Sequence, residues 1–386
     1  MTYPPDYTIP DDLMETIMTS GLDAIPEMIR ILINTAMKAE RQSYLGVGPY
    51  ERSATRRDQA NGYKPKTMTT RMGNITFAVP QTRHSNFHPQ ALDKGLRSER
   101  ALKLALAEMY IQGVSTRKVA AITAQLCGVE ISSTQVSRAT ADLDEILQAW
   151  RERPLGRYRY IYLDARYEKV RQDGRVQDAA VFIAIGVNEA GKREVLGVSV
   201  ALSEAEVHWR TFLQSLTGRG LHGIELIISD AHAGLQQARR AVFGGIPWQR
   251  CQFHLQQNAQ AYVTRKDQQK EVAADIRAIF NAPNRAEAER LLKITVKKYE
   301  PGAAKLATWL EENIPQGLTV FDFPAEHQRR LRTTNGVERL NKEIRRRTRV
   351  ASIFPNVAAC LRLVTAIVME TSEEWETGRI YLKIEP

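Results

Sequence analysis

The chain lacks the features that mark secreted or membrane-bound proteins. Its 386 residues include three cysteines, Cys127, Cys251 and Cys360. These are too few and too scattered for a disulfide framework, which predicts a reducing compartment. No apolar run approaches the ~18 residues that a membrane helix needs. The opening MTYPPDYTIPDDLMETI has neither the basic start nor the apolar stretch of a signal peptide. A cytoplasmic protein with no membrane partner is expected. Internal repeats and low-complexity tracts are also absent. What is present is ordinary globular composition, 43% hydrophobic and 25% charged, which excludes a wholly disordered chain. The formal net charge of +10 favours a polyanionic partner. The length predicts two to four domains.

Periodicity predicts a helical stretch over 11–45, with Leu13, Ile17, Ile25, Met28, Ile29 and Leu32 on its apolar face. Gly46, Gly48, Pro49, Gly62 and Pro65 then break regular structure. Arg52, Arg56, Arg57, Lys64, Lys66 and Arg71 accumulate there, with Tyr50 and Tyr63 among them and only Glu51 and Asp58 to oppose them. TMTTRMGNITFAVPQTR reads as two short strands turning at Gly73-Asn74.

Residues 98–149 read as three helices. Leu102, Leu104, Ala105, Met109 and Ile111 carry the first. Ser115 can cap the second, with Val119, Ile122 and Leu126, and Ser132 or Ser133 the third, with Val136, Ala139, Leu143 and Ile146. The second and third, joined through a turn at Gly128-Val129, have the pattern of a helix-turn-helix, with Arg117 and Lys118 on one member and Gln135 and Arg138 on the other. An ordinary helical hairpin with a solvated basic face gives the same pattern. The basic segment before it tips the reading towards DNA binding.

From residue 158 the pattern becomes β-rich. Strands over RYIYLDARYEKV, DAAVFIAIGVNEAGK and REVLGVSVAL are followed by a helix, the strand IELIISD, a second helix and a fifth strand or strand end in WQRCQFHLQ. This βββαβαβ order, with the first three strands antiparallel, matches a ribonuclease-H-like α/β core. Residues 256–332 read as helical with breaks at Pro283, Pro301, Pro315 and Pro324, and TTNGVERLNKEIRRRTRV as a further helix.

Asp164 is expected to end the first core strand, just after the apolar run Tyr160–Leu163, and Asp230 the fourth, just after Leu226–Ser229, which would place both at the rim of the sheet. In a ribonuclease-H-like sheet those first and fourth strands are neighbours, so both carboxylates can reach one site. Each Asp could instead serve as a helix cap or turn residue, a serious alternative for Asp230 because a helix follows at once. A third carboxylate would complete a hard-oxygen site for Mg²⁺ or Mn²⁺. Two such ions ~3.5–4 Å apart suit in-line phosphoryl displacement. Glu338 is the candidate, on a helix whose Val337, Leu340 and Ile344 would pack on the sheet. Glu343, its competitor, is turned about 140° away. The 108 residues between Asp230 and Glu338 exceed what a strand and a helix need, so 256–332 is expected to be a helical insertion.

These motifs identify a resemblance. YLDARYEKVR, AIGV..AGKREVLG, RGL..IELIISDAHAGL, WQRCQFH and TTNGVERLNKEIRRRTRV..IFPN resemble the mutator-type transposases of bacterial insertion sequences, relatives of the plant Mutator elements. YERSATRRDQANGY, TRMGNITFAVPQTR and MYIQGVSTRKVA are similar to the family's N-terminal segments. The resemblance spans roughly 45–376. It implies a DDE transposase with a ribonuclease-H-like core, a helical insertion before the Glu and divalent-metal chemistry, with the triad on Asp164, Asp230 and Glu338. The family's Cys/Asp-x-x-His motif falls on Cys251 and His254. On its own this pair could be half a zinc site, with His208 or His232 as distant partners, or a buried Cys beside a satisfied His. The resemblance points instead to shaping the active site and holding DNA or an unpaired base. Arg339, Lys342, Arg345, Arg346, Arg347 and Arg349 share a helix with Glu338 and are expected to meet phosphates beside the scissile bond. A charge run of this kind can also be just a solvated face. Trp209 and Trp248 could stack on bases or belong to the core.

The expected organisation is an N-terminal helix, basic segment and hairpin (1–95), a helix-turn-helix (96–155), a first core part (156–255), the insertion (256–332) and final core helices (333–386). The expected activity is binding of the element's terminal inverted repeats as a homodimer, Mg²⁺-dependent hydrolysis that frees a 3′-OH, and its transesterification into target DNA. Two Mg²⁺ ions are expected, with Mn²⁺ able to substitute, and nucleoid association follows from DNA binding. The alternatives are a ribonuclease-H-like nuclease on branched or hybrid duplexes, a non-catalytic DNA-binding regulator, and a carboxylate-pair hydrolase such as a glycosidase. The basic charge and the Arg-rich helix speak against the last.

Overall fold

Gly21, at φ +54°, ends the first helix, α1 (Asp11–Ser20), and a single 3₁₀ turn leads into α2 (Ile25–Leu45), which has a proline in its first turn. This computed structural model describes residues 11–48, 51, 53–92, 100–127, 130–141, 143–263, 265–349 and 352–384. Pro49, Tyr50, Arg52, Gly128 and Val129 therefore lie outside the described residues. The chain divides into two units, Met1–Leu143 and Asp144–Pro386.

In the first unit, β1 (Ala60–Thr70) and β2 (Gly73–Thr82) form an antiparallel hairpin. It differs from the sequence expectation in two ways. The turn is Arg71-Met72, because Thr70 pairs with Gly73, and the positive φ of +101° sits on Gly73 just after the turn. β1 also runs back through Pro65 and Gly62. A two-stranded sheet gives β1 a free edge, where a missing N–H is tolerated, and its register slips between Ala60 and Tyr63. One face of the hairpin, Met68, Ile75, Phe77 and Val79, packs with Met37 of α2 and with Leu92. The apolar face of α2 is thus displaced from the expected one, since Leu32 is exposed. Asn34 of α2 accepts a 2.9 Å bond from the Ala78 N–H.

Three more helices complete this unit: α3 (Arg100–Ile111), α4 (Thr116–Cys127) and α5 (Ser133–Ala141). Leu102, Leu106, Val119, Ile131, Val136 and Ala139 make their shared core, whereas Leu104 and Leu126 face solvent. Ser115 Oγ accepts from the Lys118 N–H. Ser132 caps α5 reciprocally: its Oγ accepts from the Gln135 N–H (3.2 Å) and its N–H donates to Gln135 Oε1 (2.7 Å).

The second unit opens with α6 (Asp144–Glu152) and three long antiparallel strands, β3 (Tyr158–Gln172), β4 (Arg175–Asn188) and β5 (Arg193–Ala201). Then come α7 (Glu206–Gly218), β6 (Leu226–Ser229), α8 (Ala233–Val242) and β7 (Trp248–Arg250). The strand order is β5-β4-β3-β6-β7, with β6 parallel to both β3 and β7. The chain is therefore mixed α/β. Ile161 and Leu163 face a core with Phe182, Trp209 and Phe212, while Tyr160 and Tyr162 send their hydroxyls to the opposite face. Trp209 is fully buried, its ring 4.4 Å from that of Phe182, so it is core and not a base-stacking surface. Trp248 is likewise engaged, donating to Ser229 Oγ at 2.9 Å.

A helical excursion follows: α9 (Gln252–Ala259), α10 (Gln269–Phe280), α11 (Arg285–Tyr299), α12 (Ala304–Asn313) and α13 (Ala325–Leu331). Helix α9 starts directly after β7, earlier than the expected 256. The excursion has its own apolar cluster, including Leu255, Ile276, Leu292, Leu310 and Leu318. Its two ends are tied together, since the Gln252 N–H donates to the Arg332 carbonyl at 2.9 Å. Helices α14 (Asn335–Thr348) and α15 (Val357–Thr377) return to the sheet. Among the described residues no helix is long and apolar enough to cross a membrane.

Candidate active site

The first acidic residue is not where a strand ends. β3 continues well past Asp164, and it is the neighbouring β6 that stops at that level. β3 and β6 are in parallel register, with Tyr160 opposite Leu226 and Tyr162 opposite Ile228. Continuing that register sets Asp164 level with Asp230, on neighbouring strands about 4.8 Å apart. Asp230 Oδ1 accepts from the His232 N–H at 3.2 Å. The turn role weighed for Asp230 is thus real, but it occupies only one carboxylate oxygen of that bond.

Glu338 enters from α14. Val337, Leu340 and Ile344 are buried and seat the helix, and the Glu338 N–H closes the first helical bond onto the Thr334 carbonyl at 3.0 Å. Glu338 Oε1 is buried and has no hydrogen-bond partner. Glu343 goes elsewhere: it binds Arg346 and Arg347 at 2.7 Å, and those guanidinium groups pull its carboxyl down to about 2.

Electrostatics show that the acids share one field. Burial raises the Asp164 carboxyl, and the negative charge of Asp230 and then that of Glu338 add to the effect, bringing it to about 7 against the opposing pull of His254. The His254 imidazole is pushed up to about 9 by the adjacent Cys251 sulfur and then by Asp164 and Asp230. Burial alone would raise the Cys251 thiol, yet His254 and Thr334 bring it below its ordinary value. Cys251 and His254 therefore stand beside the acidic site.

The donor chemistry fits a hard divalent cation, with carboxylates of three chain segments and a buried oxygen that nothing satisfies. Among the described residues, no group of three or more His, Cys, Asp or Glu side chains stands close enough to hold a metal as placed. Binding one would need the carboxylates to draw together. The same finding leaves the zinc reading of Cys251, His254, His208 and His232 without a cluster.

Two of the expected DNA contacts, Cys251 and Arg347, are buried. Cys251 is fully buried and accepts from Thr334, so it shapes the site from behind and presents nothing to a ligand. Arg347 is buried and pairs with Glu343 and Glu370, whereas Arg346 pairs with Glu343 and stays exposed. Arg339 and Arg345 remain exposed, as do Arg117, Lys118, Gln135 and Arg138 in the first unit.

Sequence reasoning missed Asn341. Its Nδ2 donates to Asp164 Oδ2 at 2.7 Å, and its backbone carbonyl accepts from Arg166. The available signal was its position one helical turn beyond Glu338.

Residues 11–378 match the family described as Transposase, Mutator family. The chain belongs to that family. It is 61% identical over 372 residues to the transposase for insertion sequence element IS406 of Burkholderia multivorans, with 96% of each chain covered. It is 41% identical to the transposase for ISRM5 of Rhizobium meliloti, over 96% of this chain and 94% of that one. It is 36% identical to the transposase for IS256 in transposon Tn4001 of Staphylococcus aureus, over 96% and 93% respectively. The family resemblance drawn from the motifs therefore holds across nearly the whole chain.

Proposed function

We propose that the protein is a DDE transposase that cuts the ends of its own insertion sequence and joins them to target DNA. The observation that carries the reading is the buried, unpartnered Glu338 Oε1 on the helix whose Asn341 bonds Asp164; a bound cation would draw the three carboxylates together. The sheet order β5-β4-β3-β6-β7, interrupted by a helical excursion before α14, supports a ribonuclease-H-like core. Membership of the Mutator family supplies the substrate class, DNA.

Mg²⁺ or Mn²⁺ held by Asp164, Asp230 and Glu338 would supply charge stabilisation for the attacking and leaving oxygens of an in-line displacement. The chain's own residues do the positioning. The β3–β6 register, continued by two residues, would set the two aspartates level with each other, and α14 would supply Glu338. Arg339 and Arg345, exposed on the same helix, are placed to hold phosphates and fix the strand's orientation without reading its sequence. In the first step water adds to the phosphorus and the 3′ oxygen leaves as a hydroxyl. In the second that hydroxyl attacks a target phosphodiester and displaces the target strand's 3′ oxygen, which leaves as a hydroxyl with the proton given up by the attacker, so one P–O bond is made and one broken without a protein-linked intermediate. Helices α4 and α5 form the proposed helix-turn-helix, with Arg117, Lys118, Gln135 and Arg138 towards the terminal inverted repeats. A homodimer would bring the two ends of the element together, and the protein would reside with the nucleoid while DNA-bound.

The test is incubation with flanked element-end DNA and Mg²⁺, mapping the cut strand and the joined product. Asp164→Asn is expected to abolish cleavage and joining while end binding persists. A mutant that still transfers strands removes Asp164 from the site. Cleavage by the native protein with no joining of a pre-cut end points to a simple nuclease.

A further inference from the structure

Helix α14 carries two buried oxygens without partners, one turn apart: Glu338 Oε1 and Asn341 Oδ1. Residues three apart lie on one face of a helix, and the Asn341 amide reaches Asp164 Oδ2 at 2.7 Å. An Asp164 carboxylate that holds a cation is ionised and can only accept, so in that state the amide NH₂ faces Asp164, as it does here, and the amide carbonyl faces away from it. A second contact fixes the same residue from the same strand. Arg166, two residues beyond Asp164 on β3, donates to the Asn341 backbone carbonyl while pairing with Glu168 at 2.6 Å. Strand β3 and helix α14 are thus stitched together at Asn341 by one side-chain bond and one backbone bond.

That stitch engages the Oδ2 oxygen of Asp164 and ties the helix that carries Glu338 to β3. A buried Asn carbonyl left without a donor is costly, and a hard oxygen beside carboxylates is a site that a divalent cation or its water can satisfy.

We propose that Asn341 is a fourth residue of the acidic site: a positioning residue that orients the Asp164 carboxylate through its amide N–H and turns its own carbonyl oxygen towards the cation or the cation's water shell. This rests on the metal reading of Asp164, Asp230 and Glu338. Groups that hold a metal ligand in orientation typically control affinity by ~10- to 100-fold.

The experiment is Mn²⁺ binding to the full-length protein without DNA, read by electron paramagnetic resonance, with thermal unfolding in parallel. Asn341→Leu removes both side-chain polar atoms at similar volume and Asn341→Ala removes them with most of the side chain; both keep the backbone carbonyl that Arg166 uses. Lys293→Ala, exposed on α11, is the control. At least one Asn341 variant is expected to fold with a wild-type melting profile in metal-free buffer and to bind Mn²⁺ ~10-fold or more weakly. Its end-cleavage rate is expected to recover as Mn²⁺ is raised, which a general packing defect would not allow. If a folded Asn341 variant binds Mn²⁺ as the wild type does, while Asp164→Asn does not, the role of Asn341 is overturned and the acidic site stands. If the wild type and Asp164→Asn bind Mn²⁺ equally, both readings fall. If neither Asn341 variant folds, Asn341 is a structural residue of the core and the proposal is overturned.

Discussion

The Cys251 sulfur accepts hydrogen bonds from both the backbone N–H and the hydroxyl of Thr334, at 3.4 and 3.5 Å. Thr334 is the N-cap of α14, and its carbonyl receives the Glu338 N–H. Cys251 meanwhile donates its own N–H to Ser229, the last residue of β6 before Asp230. One buried residue, Cys251, therefore connects the strand that leads to Asp230, through its backbone N–H, with the helix that carries Glu338, through its sulfur.

Cys251→Val is expected to leave the Thr334 donors unsatisfied inside the protein, at a cost of about 1–3 kcal/mol, and to slow end cleavage. Cys251→Ser keeps an acceptor and is expected to lose less. Urea unfolding of the two variants checks this, and equal midpoints would remove the sulfur from the account.

Asp164 makes the metal-free protein sensitive to pH. Its folded carboxyl, at about 7, lies above the ordinary value of 3.8. The folded state then holds a proton that the unfolded chain has released, so stability falls as pH rises between those two values and levels off above them. Melting in EDTA should show Asp164→Asn gaining on the wild type from pH 4 to pH 7, with a constant gap beyond. A gap independent of pH would contradict the burial of this carboxylate.

Glu343 behaves in the opposite sense. Its carboxyl is lowered from 4.5 to about 2 by Arg346 and Arg347, so its contribution is present above the ordinary value and is lost as pH falls towards 2. Glu343→Gln leaves buried Arg347 with Glu370 alone and is expected to destabilise the fold by about 1–3 kcal/mol at neutral pH, with cleavage by the folded fraction retained. Glu338→Gln is expected to do the reverse, sparing stability and abolishing cleavage. Denaturant unfolding and single-turnover cleavage of both variants separate the two roles.

Arg138 is exposed on α5, whose start is fixed by the Ser132–Gln135 cap. Arg138→Ala should weaken end-DNA binding and reduce the slope of log affinity against log salt by about 1. Titrations at several salt concentrations test it, and an unchanged slope would take Arg138 off the DNA.

The parts of this structure that sequence revealed were those written locally. Apolar runs ending in Asp164 and Asp230 located the central strands and their acids, because strand burial and strand chemistry lie in the same few residues. The four prolines Pro283, Pro301, Pro315 and Pro324 each fall at a helix boundary of the excursion or in the 3₁₀ turn beyond α12. The contacts that sequence concealed join distant segments. Thr334 lies 83 residues from Cys251, and Asn341 lies 177 from Asp164. Charge was the most misleading local cue: the Arg-rich run on α14 reads as one basic face, yet Arg347 turns inward to Glu370 on α15, which no helical wheel of α14 alone could indicate. In the hairpin, Gly73 signalled a turn correctly but not its centre, since a glycine can serve the position after the turn as well as the turn itself.

The hydrogen bond from Gln252 to Arg332 makes the intervening helices a closed side branch, leaving and rejoining the main path at a single point. Evolution can therefore enlarge, trim or exchange that branch as a cassette, because each doubling of a loop's length adds only about 0.6 kcal/mol of closure entropy. The strands and helices on either side of the branch keep their own contacts whichever appendage they carry.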